Sequence, residues 1–196
     1  MDRIGAKWLM EDVRIFKSKR DIEQALVSLI LEKDFYSIRV HEICQRAMVS
    51  RSTFYTHYKD KYDVLEKLTS KTRDYFEKQF EEKYRKQDGD ERLEHFLADI
   101  YDFYQEKRTI LQALLKTPLP PKADFEGDFR KLCQKYVIEL LIKDKDKLSI
   151  HPELAAALFT SCVFSLMQWM ITHGSDQELT RFASQLHSHF LGLIQK

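Results

Sequence analysis

The chain has 196 residues, 43% hydrophobic and 32% charged, with only five Gly and four Pro. That suffices for one or two domains with cores of their own, and it disfavours both a β-sandwich and a disordered chain. Long periodic stretches rich in Leu, Lys, Glu, Ala and Gln predict an all-α protein. The net charge is only +1, but it is unevenly spread: residues 14–61 hold ten Lys/Arg against six Asp/Glu, and residues 71–196 hold 19 against 20. A local basic excess is what electrostatic binding to a polyanion requires.

Catalytic signatures are absent from the sequence. No carboxylate pair, triad or phosphate loop stands out, so an enzyme is not expected. Cys44, Cys133 and Cys162 have no zinc spacing. Each lies on or beside an apolar helical stripe, which predicts buried thiols in a reducing compartment. His187 and His189 are two apart and fall on different helix faces, so no metal or other cofactor is expected. The opening residues Met1–Ala6 lack an apolar signal segment, and the expected location is the cytoplasm.

Residues 1–17 contain Trp8, Leu9, Val13, Ile15 and Phe16 without a clean period. They read as an N-terminal arm or an extra turn, with Lys17, Lys19 and Arg20 as either a solvated charge cluster or a contact with a polyanion. Asp21 to Phe35 is the first confident helix, with Ile22, Ala25, Leu26, Leu29 and Ile30 at spacings of three and four. Val40, Ile43, Cys44 and Ala47 make the stripe of a second, short helix. Ser50 then serves as an N-cap, and Phe54 and Tyr58 share one face of a third helix. What the third helix leaves over is a set of donors: Arg51, Ser52, Thr53, Tyr55, Thr56 and His57. Helix, tight turn and a second helix bearing exposed donors is the helix-turn-helix reading element, in which Arg reads guanine and Ser, Thr and Tyr reach phosphates.

Ser50-Arg-Ser-Thr-Phe-Tyr-Thr-His-Tyr-Lys-Asp-Lys61, with Ile43 and Ala47 before it, resembles the DNA-binding domain of the TetR/AcrR family of bacterial transcriptional regulators. The resemblance covers residues 20–68. It implies a three-helix DNA-binding domain over 18–68 and a helical effector-binding and dimerisation domain over 69–196. It also implies that Ser50, Arg51, Ser52, Thr53, Tyr55, Thr56, His57 and Lys61 contact DNA. Two residues depart from the pattern. Arg39 stands where the family has Thr, which removes a cap but offers a phosphate contact. Met48 stands where the family has Gly, so the turn is not expected to be left-handed there.

Lys61 to Lys86 is predicted as a long helix capped by Asp60, nearly 40 Å at 1.5 Å per residue, able to carry a tilt from one domain to the other. Gln87-Asp-Gly-Asp90 reads as a turn and hinge. Leu93, Phe96, Leu97, Ile100, Phe103 and Tyr104 give one amphipathic helix, and Ile110, Leu111, Leu114 and Leu115 a shorter separate one. Thr117–Lys122, with three prolines, cannot be regular helix. Phe125 to Leu141 is another helix, ending in Lys143–Lys147.

From Leu154 to Thr172 no residue is charged. A membrane span is disfavoured because Thr160, Ser161, Ser165, Gln168 and Thr172 dilute the run and an amphipathic helix follows. Pro152 opens this helix and His173-Gly174 ends it; Ser175 with Glu178 caps the last one. A helix apolar all round faces its own core on one side and a second protein on the other. Phe159, Val163 and Met167, with Phe182, Leu186 and Phe190, are the predicted homodimer contacts of a four-helix bundle. Trp169-Met-Ile-Thr-His-Gly174 also resembles the C-terminal domain of a branch common in Gram-positive bacteria. The family implies a palindromic duplex DNA operator and a small-molecule effector, and Phe96, Tyr104, Phe129, Tyr136, Phe164 and Trp169 are the candidate effector-binding residues. The reading is thus of a ligand-controlled dimeric repressor. The alternative is a co-activator acting through a protein partner.

Overall fold

The computed structural model describes residues 3–84, 92–117, 124–142, 146, 148–174 and 177–194. Among them are eight α-helices: α1 (Arg3–Glu32), α2 (Val40–Arg46), α3 (Arg51–His57), α4 (Lys61–Tyr84), α5 (Arg92–Lys116), α6 (Phe125–Ile142), α7 (Pro152–His173) and α8 (Gln177–Ile194), with a 3-10 turn over Phe35–Ser37. The all-α class stands. Two element boundaries differ from expectation. The arm before residue 18 is not an irregular leader, because α1 runs unbroken from Arg3. The two helices expected within 93–115 are one, α5, since no proline or glycine interrupts residues 105–110. The expected hinge at Gln87–Asp90, the prolines, Lys143–Lys145 and the Ser175 cap lie outside the described residues.

Contacts divide the chain into two compact units, residues 1–72 with 109–124, and residues 73–108 with 125–196. α4 and α5 each run from one unit into the other, so the sequence boundary at 68 falls inside a continuous helix.

The first unit is built on α1. Ile22, Leu26 and Ile30 are fully buried, as are Ile43 of α2, Phe54 of α3 and Val64 of α4. Burying each of these side chains contributes roughly 1.5–3 kcal/mol. Polar ties fix the helices in place. Glu32 accepts from both guanidinium nitrogens of Arg46 and Glu42 accepts from Lys33, so two ion pairs hold α2 on α1. Lys116 Nζ caps α1 by donating to the Leu31 carbonyl at 3.1 Å.

The second unit has an aromatic interior. Phe129 of α6 lies 4.2 Å from Phe76, 5.5 Å from Phe103, 5.4 Å from Phe125 and 5.5 Å from Phe164, centroid to centroid. Such pairs add about 0.5–1.5 kcal/mol each beyond their buried area. α7 lies against α6, and Phe159 of α7 meets Phe190 of α8 at 5.5 Å. Gly174 stops α7 at φ 87°, a conformation that L side chains rarely adopt. Cys44 and Cys133 are buried, and burial pushes both thiols up; Cys162 is exposed, against expectation, because its position on α7 turns away from α6.

Candidate functional site

The exposed side of α3 is the site. Ser50 caps the helix, its Oγ accepting from the Thr53 N–H at 2.9 Å and lying 2.8 Å from Thr53 Oγ1. Phe54 is the anchor on the inner side and Tyr58, just past the helix, is buried beside it. These two fix the rotation of α3 about its axis. Arg51, Ser52, Tyr55 and Thr56 consequently face solvent. Arg51 and Tyr55 make no hydrogen bond or ion pair among the described residues, whereas Thr56 Oγ1 donates to the Ser52 carbonyl at 2.9 Å. A helix of two turns, itself without a carboxylate, thus presents a free guanidinium and a free phenol, which suits an anionic partner.

His57 is half-buried in the last turn. Burial lowers its pKa, and the charges of Lys19 and Lys67 lower it further, so the imidazole is neutral at pH 7. Arg39 is exposed at the N-cap of α2, and its backbone N–H donates to Glu42 Oε2 at 2.8 Å, one arm of a capping box.

Two expectations fail here. The turn is left-handed at Met48, which has φ 53°. The cause is the closing hydrogen bond from the Val49 N–H to the Cys44 carbonyl at 3.0 Å, which requires that backbone whatever the side chain. Lys61 is not free to hold a phosphate. Its Nζ donates to the carbonyls of Phe35 (2.8 Å), Tyr36 (2.9 Å) and Ile38 (2.8 Å). All three N–H donors are spent, and the ammonium also lies over the Phe35 ring. Burial lowers its pKa, with Asp34, Asp60 and Glu42 opposing.

Sequence reasoning missed one buried charge. Glu23 of α1 accepts from the Tyr58 hydroxyl at 3.1 Å and from Lys71 Nζ of α4 at 2.7 Å. Burial and the Glu23 carboxylate push the Tyr58 phenol well up. This node ties the end of α3 to α1 and α4. Glu23 lies between Ile22 and Ala25 in an apolar stripe, and that position was the one available signal.

In the second unit Tyr104, Phe129, Tyr136 and Phe164 are buried, and the Phe96 side chain is outside the described residues. Tyr136 donates to the Glu77 carbonyl at 3.4 Å. The Tyr104 hydroxyl is buried with no hydrogen-bond partner among the described residues. Burial raises its pKa, while the charge and the approach of the Arg108 guanidinium oppose. Trp169 does not line the interior. It is 55% exposed and stacks on His173 at 3.8 Å. The dimer residues also need correction. Phe159, Val163 and Met167 are buried within the subunit, on the side of α7 turned to α6. The uncovered side of α7 carries Leu154, Leu158, Ser161, Cys162, Ser165 and Trp169, and α8 adds Phe182; Phe190 is half-buried, and the Leu186 side chain is not described. The hydroxyls of Ser161, Ser165 and Thr172 donate to carbonyls one turn back, so that side can lose water without stranding them. α7 is long and apolar enough to cross a membrane, with an 18-residue window of mean hydropathy 1.7; its inner side packs on α6.

Residues 22–68 match the family model of bacterial regulatory proteins, tetR family. Over 49 residues the chain is 33% identical to an uncharacterized HTH-type transcriptional regulator, YxbF, of Bacillus subtilis. That match covers 25% of this chain and 13% of the relative. Among solved structures, the chain resembles NalD, the secondary repressor of the MexAB-OprM multidrug efflux pump in Pseudomonas aeruginosa, with a TM-score of 0.75 at 16% identity over 93% of this chain and 98% of that one. It also resembles the transcriptional regulator FadR of Bacillus subtilis in complex with stearoyl-CoA, with a TM-score of 0.72 at 16% identity over 90% and 99%.

Proposed function

We propose, from the premise that this chain belongs to the TetR family of bacterial regulatory proteins through residues 22–68, that it is a dimeric repressor whose grip on a palindromic operator is released by a small apolar effector. One observation carries the DNA-binding part: α3 is anchored inward by Phe54 and presents Arg51, Ser52, Tyr55 and Thr56 outward. An α-helix with such an outer face fits the major groove, where Arg51 is placed for a bidentate contact and the hydroxyls for phosphates. The co-activator reading rested on Arg39 and Met48. It loses ground because the turn keeps its left-handed form at Met48 and α2 keeps the Glu42 arm of its cap.

The dimer is proposed across the uncovered side of α7 with α8; the α7 side is uncharged from Leu154 to Thr172, and a second copy would cover it. Two reading helices related by a two-fold axis require a palindrome. The effector is proposed to lie among the aromatic residues of the second unit. The like-folded FadR holds an acyl-CoA, and an aromatic interior suits a hydrocarbon chain or ring system. The protein acts in the bacterial cytoplasm on this reading.

The test is selection of bound duplexes from random DNA with the full chain, followed by the variants Arg51→Ala and Tyr55→Ala on the selected site. Each variant is expected to weaken specific binding by about 1–3 kcal/mol, with the dimer intact by size. Selection of no palindrome, or unchanged binding by both variants, defeats the reading.

A further inference from the structure

We infer that the stretch of α1 ahead of the folded body, Arg14 to Arg20, is a second DNA contact that grips the phosphate backbone flanking the reading helix. The inference rests on the proposed DNA-binding function. It concerns a surface outside the helix-turn-helix.

Within α1 the side chains are described from Val13 onward, and the first fully buried one among them is Ile22. Residues 13–20 thus form an exposed helical stretch of about 12 Å, at 1.5 Å per residue. From Val13 to Arg20 every side chain is exposed except the half-buried Ser18. A helical stretch that buries nothing gains little from packing and is marginal by propensity alone, so its side chains are expected to serve a partner.

The chemistry of that partner is legible. Residues 13–20 carry Arg14, Lys17, Lys19 and Arg20 and no carboxylate. Arg20 is held by Asp21, but Arg14, Lys17 and Lys19 make no ion pair among the described residues. Val13, Phe16, Lys17 and Arg20 fall at i, i+3, i+4 and i+7 and share one face. Val13 is 64% and Phe16 63% exposed, so this face pairs cations with two apolar side chains that can lie on deoxyribose. The position matches too. The hydroxyl of Tyr58, the residue that follows α3, donates to Glu23 of α1 at 3.1 Å, and Lys19 lies one turn before Glu23 on the same side of α1. The exposed stretch thus lies beside one end of the reading helix. With α3 in the major groove, that end abuts the groove's phosphate rim, where a duplex carries a charge every ~1.7 Å.

The experiment compares the full-length wild type with the combined variant Arg14→Ala, Lys17→Ala, Lys19→Ala on the selected duplex, by fluorescence anisotropy across a salt series. Alanine preserves helix propensity and the three side chains are exposed, so the fold is expected to hold, with circular dichroism as the check. The variant is expected to bind the same sequence more weakly, with a log K against log salt slope shallower by about two to three, at ~0.9 per phosphate lost. Hydroxyl-radical protection should shrink at the outer edges of the site. Trimming the flanks should weaken the wild type and leave the variant unaffected. An unchanged slope and footprint overturn the inference while the functional reading stands. An unchanged slope with a loss of dimer assigns the stretch to a second copy and overturns it as well. A wild type that selects no duplex defeats the functional reading first and this inference with it.

Discussion

Met48 holds φ 53° with its side chain 93% exposed, so a left-handed backbone is imposed on a residue that gains no packing from it. Such a conformation costs an L side chain roughly 1–2 kcal/mol, partly offset by the greater freedom glycine has when unfolded. Met48→Gly is therefore expected to stabilise the protein by about 1 kcal/mol in urea unfolding and to leave the selected DNA sequence unchanged. Lys61 makes the opposite case. Its ammonium closes the carbonyls of Phe35, Tyr36 and Ile38, and Lys61→Met keeps the stem while stranding them. The expected loss is about 1–3 kcal/mol of stability, with the salt dependence of DNA binding unchanged, since no phosphate contact is removed. A slope reduced by about one would return Lys61 to the DNA-contacting set. Tyr104 is the third single-residue case. Its hydroxyl is buried without a hydrogen-bond partner among the described residues, so Tyr104→Phe should leave stability equal or higher while weakening the response to an effector that hydrogen-bonds there, read as the effector concentration needed to release DNA.

At the scale of elements, the sequence pattern was sound wherever one helix face was apolar and the other charged. α2, α3, α4 and α6 fall close to their predicted spans for that reason. The pattern was mute where both faces looked alike. α7 has no charged residue between Leu154 and Thr172, so nothing in its composition said which side turned to α6. Phe159, Val163 and Met167 were assigned outward and lie inward. The difference gives a prediction with two arms. Leu158→Arg changes a side chain 48% exposed, and it should leave the subunit folded but monomeric in analytical ultracentrifugation. Phe159→Ala should instead cost about 3–5 kcal/mol of stability by opening a cavity. Dissociation of the dimer by Phe159→Ala without loss of stability would reverse the assignment. The aperiodic start of α1 was unreadable for a related reason: Val13 to Lys17 are all exposed, and a stretch without a buried face has no apolar stripe to display.

For the whole molecule, the even overall charge hid the function and its distribution disclosed part of it. The basic excess over residues 14–61 includes Lys33, Arg46 and Lys61, which the fold consumes in ion pairs and carbonyl contacts. Counting cations in the sequence therefore overstates those left for DNA. Only the fold separates Arg51, which is free, from Arg46, five residues earlier in the chain, which is held by Glu32. The same holds for the aromatic residues: their abundance announced an interior, but not that Phe129 would be its hub or that Trp169 would lie outside it.

The Glu23–Tyr58–Lys71 node has a consequence for inheritance. Because α3 is fastened from beneath, through Phe54 and Tyr58, the letters on its outer surface owe nothing to the scaffold. Arg51, Ser52 and Tyr55 are thus open to exchange, and on the proposed reading a descendant or an engineer could rewrite the address this protein recognises while leaving its architecture untouched.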